Sequence, residues 1–289
     1  VAVQDKHIEC SISGALKTSE TGFTNLIAVG DQALVLPVDE QRGVVTAILP
    51  RHSVLARREV LHGYQKQVVV ANADQVLIVT AWREPHFWPE LVDRYLVTAA
   101  FNHLHPVLCI TKIDLVDDPV ELEAVLAPYR SLELDLVLTS AKTGVGADQL
   151  TDLLKGKLSV LVGLSGVGKS TLLNALQPEL ALKIGAVSEG SLYRGQGRHT
   201  TTGASLFQLA SGGAVVDTPG IREFGLVGLQ RHDLAEFYPE FAQAAHGCRF
   251  NDCLHTSEPG CEVRQALETG GVHAGRYATY CKILSTLNG

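Results

Sequence analysis

The 289-residue sequence contains no methionine, no low-complexity segment and no evident internal repeat. We expect either that the chain begins inside its gene or that modified methionines are missing from the sequence. In the second case, some spacings between residues hide single-residue gaps. No apolar run approaches the roughly 18 residues that cross a bilayer, which argues against a helical membrane protein. No secretion signal is visible, so we expect a cytoplasmic protein.

Basic residues are also fewer than acidic residues. Lysine and arginine number 24 against 31 acidic residues, and the formal net charge is −7. This balance excludes a generic nucleic-acid-binding protein, so any RNA-binding surface must be local. The 46% hydrophobic and 19% charged residues are typical of a globular protein, and the length allows two or three domains.

Residues 163–170 read Gly-Leu-Ser-Gly-Val-Gly-Lys-Ser, the G-x-x-x-x-G-K-[ST] pattern of a phosphate loop. A strand-like run, 158–162, precedes it and a helix-like run follows it, which is the context that this loop requires. Backbone N–H groups would surround phosphate oxygens, while Lys169 would pair with the β- and γ-phosphates and act in catalysis. The Ser170 hydroxyl would bind Mg²⁺. A plain glycine-rich turn is the alternative. The predicted triphosphate-binding residues are Gly163, Leu164, Ser165, Gly166, Val167, Gly168, Lys169, Ser170 and Thr171.

Residues upstream of this loop indicate which nucleobase the protein would bind. Thr111-Lys112-Ile113-Asp114 ends the apolar run 107–110 and resembles the N-K-x-D motif of GTPases. A carboxylate at Asp114 would accept hydrogen bonds from N1–H and the exocyclic amine of guanine, and adenine has no matching donor pair. Lys112 would lie with its methylenes along the base. Because Thr111 replaces asparagine, we expect part of the usual hydrogen bonding to be lost and the affinity to be lower.

A second guanine element follows the apolar run 134–138. Thr139-Ser140-Ala141-Lys142 resembles the S-A-K loop, whose backbone N–H at Ala141 would meet guanine O6. Two such elements in a chain with a phosphate loop predict GTP and GDP, with Mg²⁺, as ligands. An ATP-dependent kinase is the alternative that the phosphate loop alone would permit.

Asp-Thr-Pro-Gly follows the strand-like run 214–216 and resembles the D-x-x-G element of GTPases. Asp217 would hold Mg²⁺ through water, and the Gly220 N–H would contact the γ-phosphate. The position after that glycine often carries a glutamine that orients the attacking water. Here it is Ile221, which has no polar group, so hydrolysis must use a group from elsewhere.

That group is predicted to lie in residues 195–202, Gly-Gln-Gly-Arg-His-Thr-Thr-Thr. Thr200 or Thr201 would complete the metal shell when the γ-phosphate is present, which is the role of switch I. His199 would orient the attacking water. A flexible turn, or a histidine that only contacts RNA or packs in the loop, is the alternative.

Four potential metal ligands lie close together near the end of the chain: Cys248, Cys253, His255 and Cys261. Three thiolates and one imidazole suit tetrahedral Zn²⁺, and closed sites of this composition are structural. Disulfides are the alternative, although cysteines of cytosolic proteins are normally reduced. A region of about sixty residues needs such a site for stability, and helices are expected at 262–270 and 276–287.

Short runs of alternating apolar and polar residues fill the first part of the chain, at 7–12, 32–36, 43–49 and 53–57. This spacing predicts a small barrel, and an OB-fold fits the length. Basic residues near its end form a candidate contact with RNA phosphates, with an ordinary solvated surface as the alternative. These residues are Arg51, His52, Arg57, Arg58 and Lys66.

Strands and helices are expected to alternate from residue 75 to 217, which predicts a mainly parallel sheet covered on both faces. The phosphate loop here follows the guanine elements, whereas ordinary GTPases have it first. The order therefore predicts a circular permutation, which a sheet tolerates because domain termini usually lie close together.

The order of motifs, the Gly-Leu-Ser-Gly-Val-Gly-Lys-Ser-Thr loop and the Arg-His-Thr-Thr-Thr segment resemble the ribosome small subunit-dependent GTPase A family, RsgA, also called YjeQ or YloQ. The resemblance implies an N-terminal OB-fold that binds RNA (1–66), a circularly permuted α/β GTPase domain (67–226) and a small helical zinc-binding domain (227–289). It also implies late action on the 30S subunit, contact with 16S rRNA, and GTP hydrolysis stimulated by that subunit. We expect a monomer. An RNA-binding scaffold with incidental turnover is the alternative.

Overall fold

The computed structural model describes residues 1–3, 6–17, 23–58, 66–132, 134–182, 204–217, 226 and 228–287. In these ranges the strands are β1 (Ala2–Val3), β2 (Lys6–His7), β3 (Glu9–Ile12), β4 (Ala33–Pro37), β5 (Arg42–Ile48), β6 (Val54–Arg58), β7 (Lys66–Ala71), β8 (Gln75–Ala81), β9 (His105–Thr111), β10 (Asp135–Leu138), β11 (Leu158–Val162), β12 (Ser205–Gln208) and β13 (Ala214–Asp217). The α-helices are α1 (Gly14–Lys17), α2 (Pro89–Phe101), α3 (Pro119–Arg130), α4 (Ala147–Leu154), α5 (Lys169–Leu176), α6 (Pro239–Ala245), α7 (Glu262–Thr269) and α8 (Ala274–Thr286).

The central sheet has the strand order β10-β9-β8-β11-β13-β12. Its neighbouring strands are parallel except for β12, which pairs antiparallel with β13. All seven residues of β8 are buried, as expected for a central strand covered on both faces. The mainly parallel sheet predicted from the alternation of strands and helices is confirmed.

Two hydrophobic clusters cover the two faces of this sheet. Alternate residues of β8, Val76 and Ile78, pack with helices α2 and α3, whereas Leu77 and Val79 pack with α4 and α5. Successive side chains of a strand point to opposite faces, so one apolar strand contributes to both clusters. The central strands thus bring the loops after them to a single edge of the sheet.

The N-terminal part contains small separate sheets. β3 and β4 flank β5, and β6 pairs antiparallel with β7. Isolated bridges join Phe23 to Lys66 and Val29 to Val70. The four predicted strands are present. β7 was not expected as a separate strand, because five consecutive buried residues give it no alternation.

Arg51 is not a free phosphate contact, contrary to our expectation. Its Nε and Nη2 atoms each lie 2.7 Å from a carboxylate oxygen of Asp31. The Arg51 side chain is 13% exposed, so its bidentate ion pair holds the loop at 31 to the chain before β6. Among the remaining candidates, His52, Arg57 and Lys66 are exposed.

The C-terminal region, residues 228–287, is helical. A 3₁₀ helix, Arg231–Phe237, and α6 to α8 surround a cluster that contains Tyr238, Phe241 and Tyr280. The two predicted C-terminal helices are confirmed, with starts and ends within two residues of those expected. Among the described residues, no helix is long and apolar enough to span a membrane.

Candidate functional site

The phosphate loop leaves β11 at the carboxyl edge of the sheet, and α5 begins at Lys169. Gly163 has φ +145°, and a Cβ atom there would lie 2.1 Å from the Val79 carbonyl oxygen. Gly168 has φ +95° at the position before α5. Close approach and positive φ both require glycine at 163, and positive φ favours glycine at 168.

Three polar residues are buried near this loop: Lys169 is 8% exposed, Ser170 5% and Asp217 2%. Lys169 Nζ donates to the carbonyls of Gly163 and Leu164, each at 2.8 Å. Asp217 ends β13 in register with Leu161 on β11, two residues before the loop. An ammonium, a hydroxyl and a carboxylate therefore lie at the end of adjacent strands, which is the donor set for phosphate and Mg²⁺.

The Thr-Lys-Ile-Asp turn is attached directly to the phosphate loop. Thr111 Oγ1 donates to the Val167 carbonyl oxygen at 2.5 Å. Lys112 Nζ donates to the Gly166 carbonyl oxygen at 2.9 Å and also to the Glu84 carbonyl oxygen. The Thr111 hydroxyl thus provides a link between the two loops.

The carboxylate of Asp114 is held by the second guanine element. Ser140 Oγ donates to Asp114 Oδ1 at 2.6 Å, and Lys142 Nζ lies 4.0 Å from Oδ2. The Ser140 hydrogen bond, with smaller contributions from Lys142 and Lys112, lowers the pKa of Asp114. Asp114 therefore stays ionised and able to accept hydrogen bonds. Ile113 begins a short 3₁₀ helix, and Ala141 is exposed in the adjacent turn.

The structure therefore brings together 111–114, 140–142, 163–171 and Asp217, which are distant in sequence. Four other predicted site residues, His199, Thr200, Thr201 and Gly220, lie outside the described residues. The roles of all these residues in binding and catalysis remain predictions.

Cys248, Cys253, His255 and Cys261 form a second cluster, with ligand atoms all within 4.8 Å of one another. His255 Nδ1 lies 3.6 Å from Cys248 Sγ and 3.5 Å from Cys261 Sγ, and these two sulfurs are 4.0 Å apart. Tetrahedral Zn²⁺ would require edges of roughly 3.5 Å for S···N and roughly 3.8 Å for S···S. All six cysteines are free thiols, so the disulfide alternative is not present. The cluster fits a metal ion.

Sequence reasoning missed the residue that shapes this site. Glu258 accepts backbone N–H groups from Leu254, Thr256 and Ser257 at 2.9–3.0 Å. Burial alone would raise the pKa of Glu258, but the backbone donors lower it to about 2. The carboxylate therefore stabilises the turn at His255, which has φ +57°. The available signal was an acidic residue inside the spacing between two ligands.

Two aromatic hydroxyls support the same turn from α8. Tyr277 donates to the His255 carbonyl at 2.8 Å, and Tyr280 donates to the Leu254 carbonyl at 3.0 Å. His273 is exposed and accepts from the Gly275 N–H at the start of α8. The turn that carries His255 of the Cys₃His cluster is thus fixed to α8 by hydrogen bonds.

The sequence model of the RsgA GTPase family matches residues 48–227, more than half of the chain. The chain belongs to the RsgA GTPase family. It is therefore a GTPase, a hydrolase that acts on GTP. The resemblance inferred from the order of the motifs is confirmed.

Similar RsgA proteins match over most of their length. The small ribosomal subunit biogenesis GTPase RsgA of Chlorobaculum parvum is 43% identical, over 93% of this chain and 88% of the relative. The protein of the same name from Gemmatimonas aurantiaca is also 43% identical, over 99% and 92% of the two chains.

Solved structures of the same family confirm the permuted GTPase fold. YjeQ from Thermotoga maritima matches with TM-score 0.75 and 33% identity, over 96% of this chain and 89% of that chain. YloQ, described as a circularly permuted GTPase, matches with TM-score 0.72 and 28% identity, over 98% and 86%.

Replacing Thr111 by valine should weaken GDP binding about two- to tenfold, because one net hydrogen bond between the two nucleotide loops is lost. The dissociation constant would be measured with a fluorescent GDP analogue. Thr151→Val is the matched control, since that hydroxyl also donates to a backbone carbonyl but lies in α4. Thr111→Asn, which introduces the residue usual in the motif, should bind GDP at least as tightly as the unaltered protein. Equal affinities of Thr111→Val and the control would show that the link does not matter for binding.

Replacing Glu258 by glutamine should lower Zn²⁺ affinity about tenfold or more, because an amide NH₂ would face backbone N–H donors. Competition with a chromogenic chelator measures this affinity without reference to GTPase activity. Glu268→Gln, an exposed change in α7, is the control and should bind Zn²⁺ as the unaltered protein does. Unchanged Zn²⁺ affinity in Glu258→Gln would contradict the assigned role.

Proposed function

We propose that this chain hydrolyses GTP during biogenesis of the small ribosomal subunit, and that the subunit stimulates the hydrolysis. Membership in the RsgA family and the name of its relatives support the biological role. The observation that carries the chemistry is the attachment of the Thr-Lys-Ile-Asp turn to the phosphate loop through Thr111 and Lys112. This contact supports a single site for base and phosphates.

In the proposed site, Asp114 accepts hydrogen bonds from guanine, and Lys112 lies along the base. The contact of Asp114 with Ser140 supports the role of Asp114, because the serine hydroxyl orients the carboxylate and keeps it charged. The Ala141 N–H would meet guanine O6. A base without donors on that edge would leave a charged carboxylate unpaired, so guanine is preferred over adenine.

The phosphates of GTP would occupy the loop 163–170, with Lys169 on the β- and γ-phosphates. Bound nucleotide would replace the carbonyl contacts that Lys169 makes in this structure. Ser170, directly, and Asp217, through water, would hold Mg²⁺. The metal neutralises the charge of the phosphates when bound. Burial of these side chains supports the assignment, because electrostatic interactions are stronger where water is excluded.

For the water that attacks the γ-phosphate, we propose His199 as the orienting group. Thr200 or Thr201 would complete the Mg²⁺ shell, and the Gly220 N–H would contact the γ-phosphate. Ile221 cannot orient water, which is the reason to look for a polar group elsewhere. Ordering of this segment by the small subunit would explain stimulation, since catalysis would depend on the partner.

The two domains that flank the GTPase domain (67–226) are assigned to binding the ribosome. An OB-fold at 1–66 would contact 16S rRNA, and a domain stabilised by structural Zn²⁺ would span 227–289. The distances between the ligand atoms of the Cys₃His cluster support Zn²⁺ as the metal. The protein would act as a monomer in the cytoplasm.

GTP turnover, measured with and without purified 30S subunits, tests this function. We expect stimulation by at least an order of magnitude, and competition by unlabelled GTP but not ATP. Isolated 50S subunits are the control. Slow hydrolysis that 30S subunits do not accelerate would instead indicate an RNA-binding scaffold with incidental turnover. Equal competition by ATP would contradict the guanine site.

Replacing His199 by alanine should reduce 30S-stimulated turnover about 10²- to 10⁴-fold, the usual contribution of a group that positions or activates water. GDP affinity should not change, because the proposed role of His199 concerns the attacking water and not the base. His103→Ala, a histidine before β9, is the control. Full stimulated turnover in His199→Ala would reject the assignment.

A further inference from the structure

Two charged side chains lie buried between α2 and α8, away from the nucleotide loops and the metal ligands. The side chain of Asp93 in α2 is 0% exposed, and that of Arg276 in α8 is 3% exposed. Aspartate and arginine are almost never fully buried unless they are paired. These two residues therefore require an explanation that neither site supplies.

Arg276 uses its whole guanidinium group. Nη1 donates to Asp93 Oδ1 at 2.5 Å, while Nε and Nη2 donate to the two carboxylate oxygens of Glu240 at 2.7 and 3.2 Å. The guanidinium carbon lies 4.5 Å from the ring centre of Tyr238 and 5.8 Å from that of Tyr129. A planar group that donates from three nitrogens is needed for this arrangement, and lysine has no equivalent geometry.

Asp93 is equally well satisfied. Its Oδ1 atom accepts from Arg276 and its Oδ2 atom accepts from the Thr279 hydroxyl, one turn further along α8. Burial raises the pKa of Asp93, and attraction to Arg276 opposes that rise. The charge of Asp93 is thus tolerated only while α8 is in place.

The network crosses between two hydrophobic clusters that share α2. Tyr95 and Leu96 pack into the cluster on the central sheet, whereas Val97 packs among the C-terminal residues. Phe101 lies edge-on to Phe237, with ring centres 5.6 Å apart. A helix that is buried on several sides is an internal layer, so α2 belongs to the sheet and to the C-terminal region together.

From this layer, contacts continue to the nucleotide loops. Tyr129, which faces Arg276, lies edge-on to Phe87 with ring centres 5.7 Å apart. Phe87 belongs to the loop 82–88 after β8, and its N–H donates to the Trp82 carbonyl. The Glu84 carbonyl of the same loop accepts from Lys112, which also holds the phosphate loop.

We propose that Arg276 is a positioning residue that couples docking of the C-terminal helices on α2 to binding of guanine nucleotide at the sheet edge. Docked α8 holds α2, Tyr129 and the loop 82–88 in the arrangement that places Lys112 against the phosphate loop. If α8 moved away only partly, Asp93 would remain buried without the counter-charge of Arg276. Such a partly docked state is unfavourable, so α8 should be either docked or undocked. Two discrete arrangements of α8 are what a coupling between distant sites requires.

Linkage makes the effect reciprocal: if docking favours nucleotide, nucleotide must favour docking by the same factor. The first test uses the unaltered protein and hydrogen–deuterium exchange of residues 274–286 with and without GDP. We expect GDP to slow exchange in α8. An α8 exchange rate that saturating GDP does not change would overturn the inference. The inference rests on the nucleotide site proposed above, whose failure would appear separately, as absence of GDP binding.

The second test compares Arg276→Met with Lys282→Met. Lys282 is also in α8 and pairs with Glu90 of α2 at 3.1 Å, but its side chain is 63% exposed. We expect Arg276→Met to weaken GDP binding about tenfold, a typical coupling between sites, and Lys282→Met to change it less than twofold. The two tryptophans, Trp82 and Trp88, lie in the loop 82–88, so their emission reports that loop directly.

Arg276→Met should also alter the tryptophan emission and lose the effect of GDP on α8 exchange, while a merely structural residue would leave both intact in the folded protein. If Arg276→Met shows faster α8 exchange yet binds GDP with unaltered affinity, the coupling does not exist. Should that variant not fold, Thr279→Val removes only a hydroxyl, which contacts Asp93 Oδ2 and the Arg276 carbonyl. It should weaken GDP binding in proportion to its faster α8 exchange, and independence of the two quantities would refute the proposal.

Discussion

Parallel pairing of β8 with β9 on one side and β11 on the other is the constraint on which the rest of this structure depends. Parallel strands end at the same edge of a sheet, so the loops after them meet whatever their order along the chain. The guanine elements follow β9 and β10, and the phosphate loop follows β11. This is why a GTPase can be permuted: the site is a property of the sheet edge.

The loops at that edge are joined by a small number of polar contacts. Thr111 and Lys112 donate to carbonyls of the phosphate loop, and Ser140 donates to Asp114. Each contact involves a backbone group or a charged carboxylate that would otherwise need water. Since these contacts join the proposed base-binding loops to the proposed phosphate-binding loop through groups of the chain itself, we expect them to reduce the ordering that nucleotide binding requires.

The C-terminal region is held by two kinds of interaction. Its own stability depends on a cluster of aromatic side chains beside the Cys₃His group, whose turn is shaped by Glu258. Its position depends on α2, which contributes Val97 to that cluster and Asp93 to Arg276. A single helix thus links the region of the Cys₃His cluster to the strands that carry the proposed nucleotide loops.

Sequence alone determined the features that are local or repeat with a simple period. The phosphate-loop pattern, the candidate guanine elements, the four potential metal ligands and the alternation of strands and helices follow from spacing and residue type, and a parallel sheet follows from that alternation. Tertiary structure decided which polar residues find distant partners: Arg51 pairs with Asp31, and Arg276 pairs with Asp93 across 183 positions of the chain. Burial of a charge depends on what surrounds it in space, and no periodicity in the sequence records a neighbour that the chain brings from so far away.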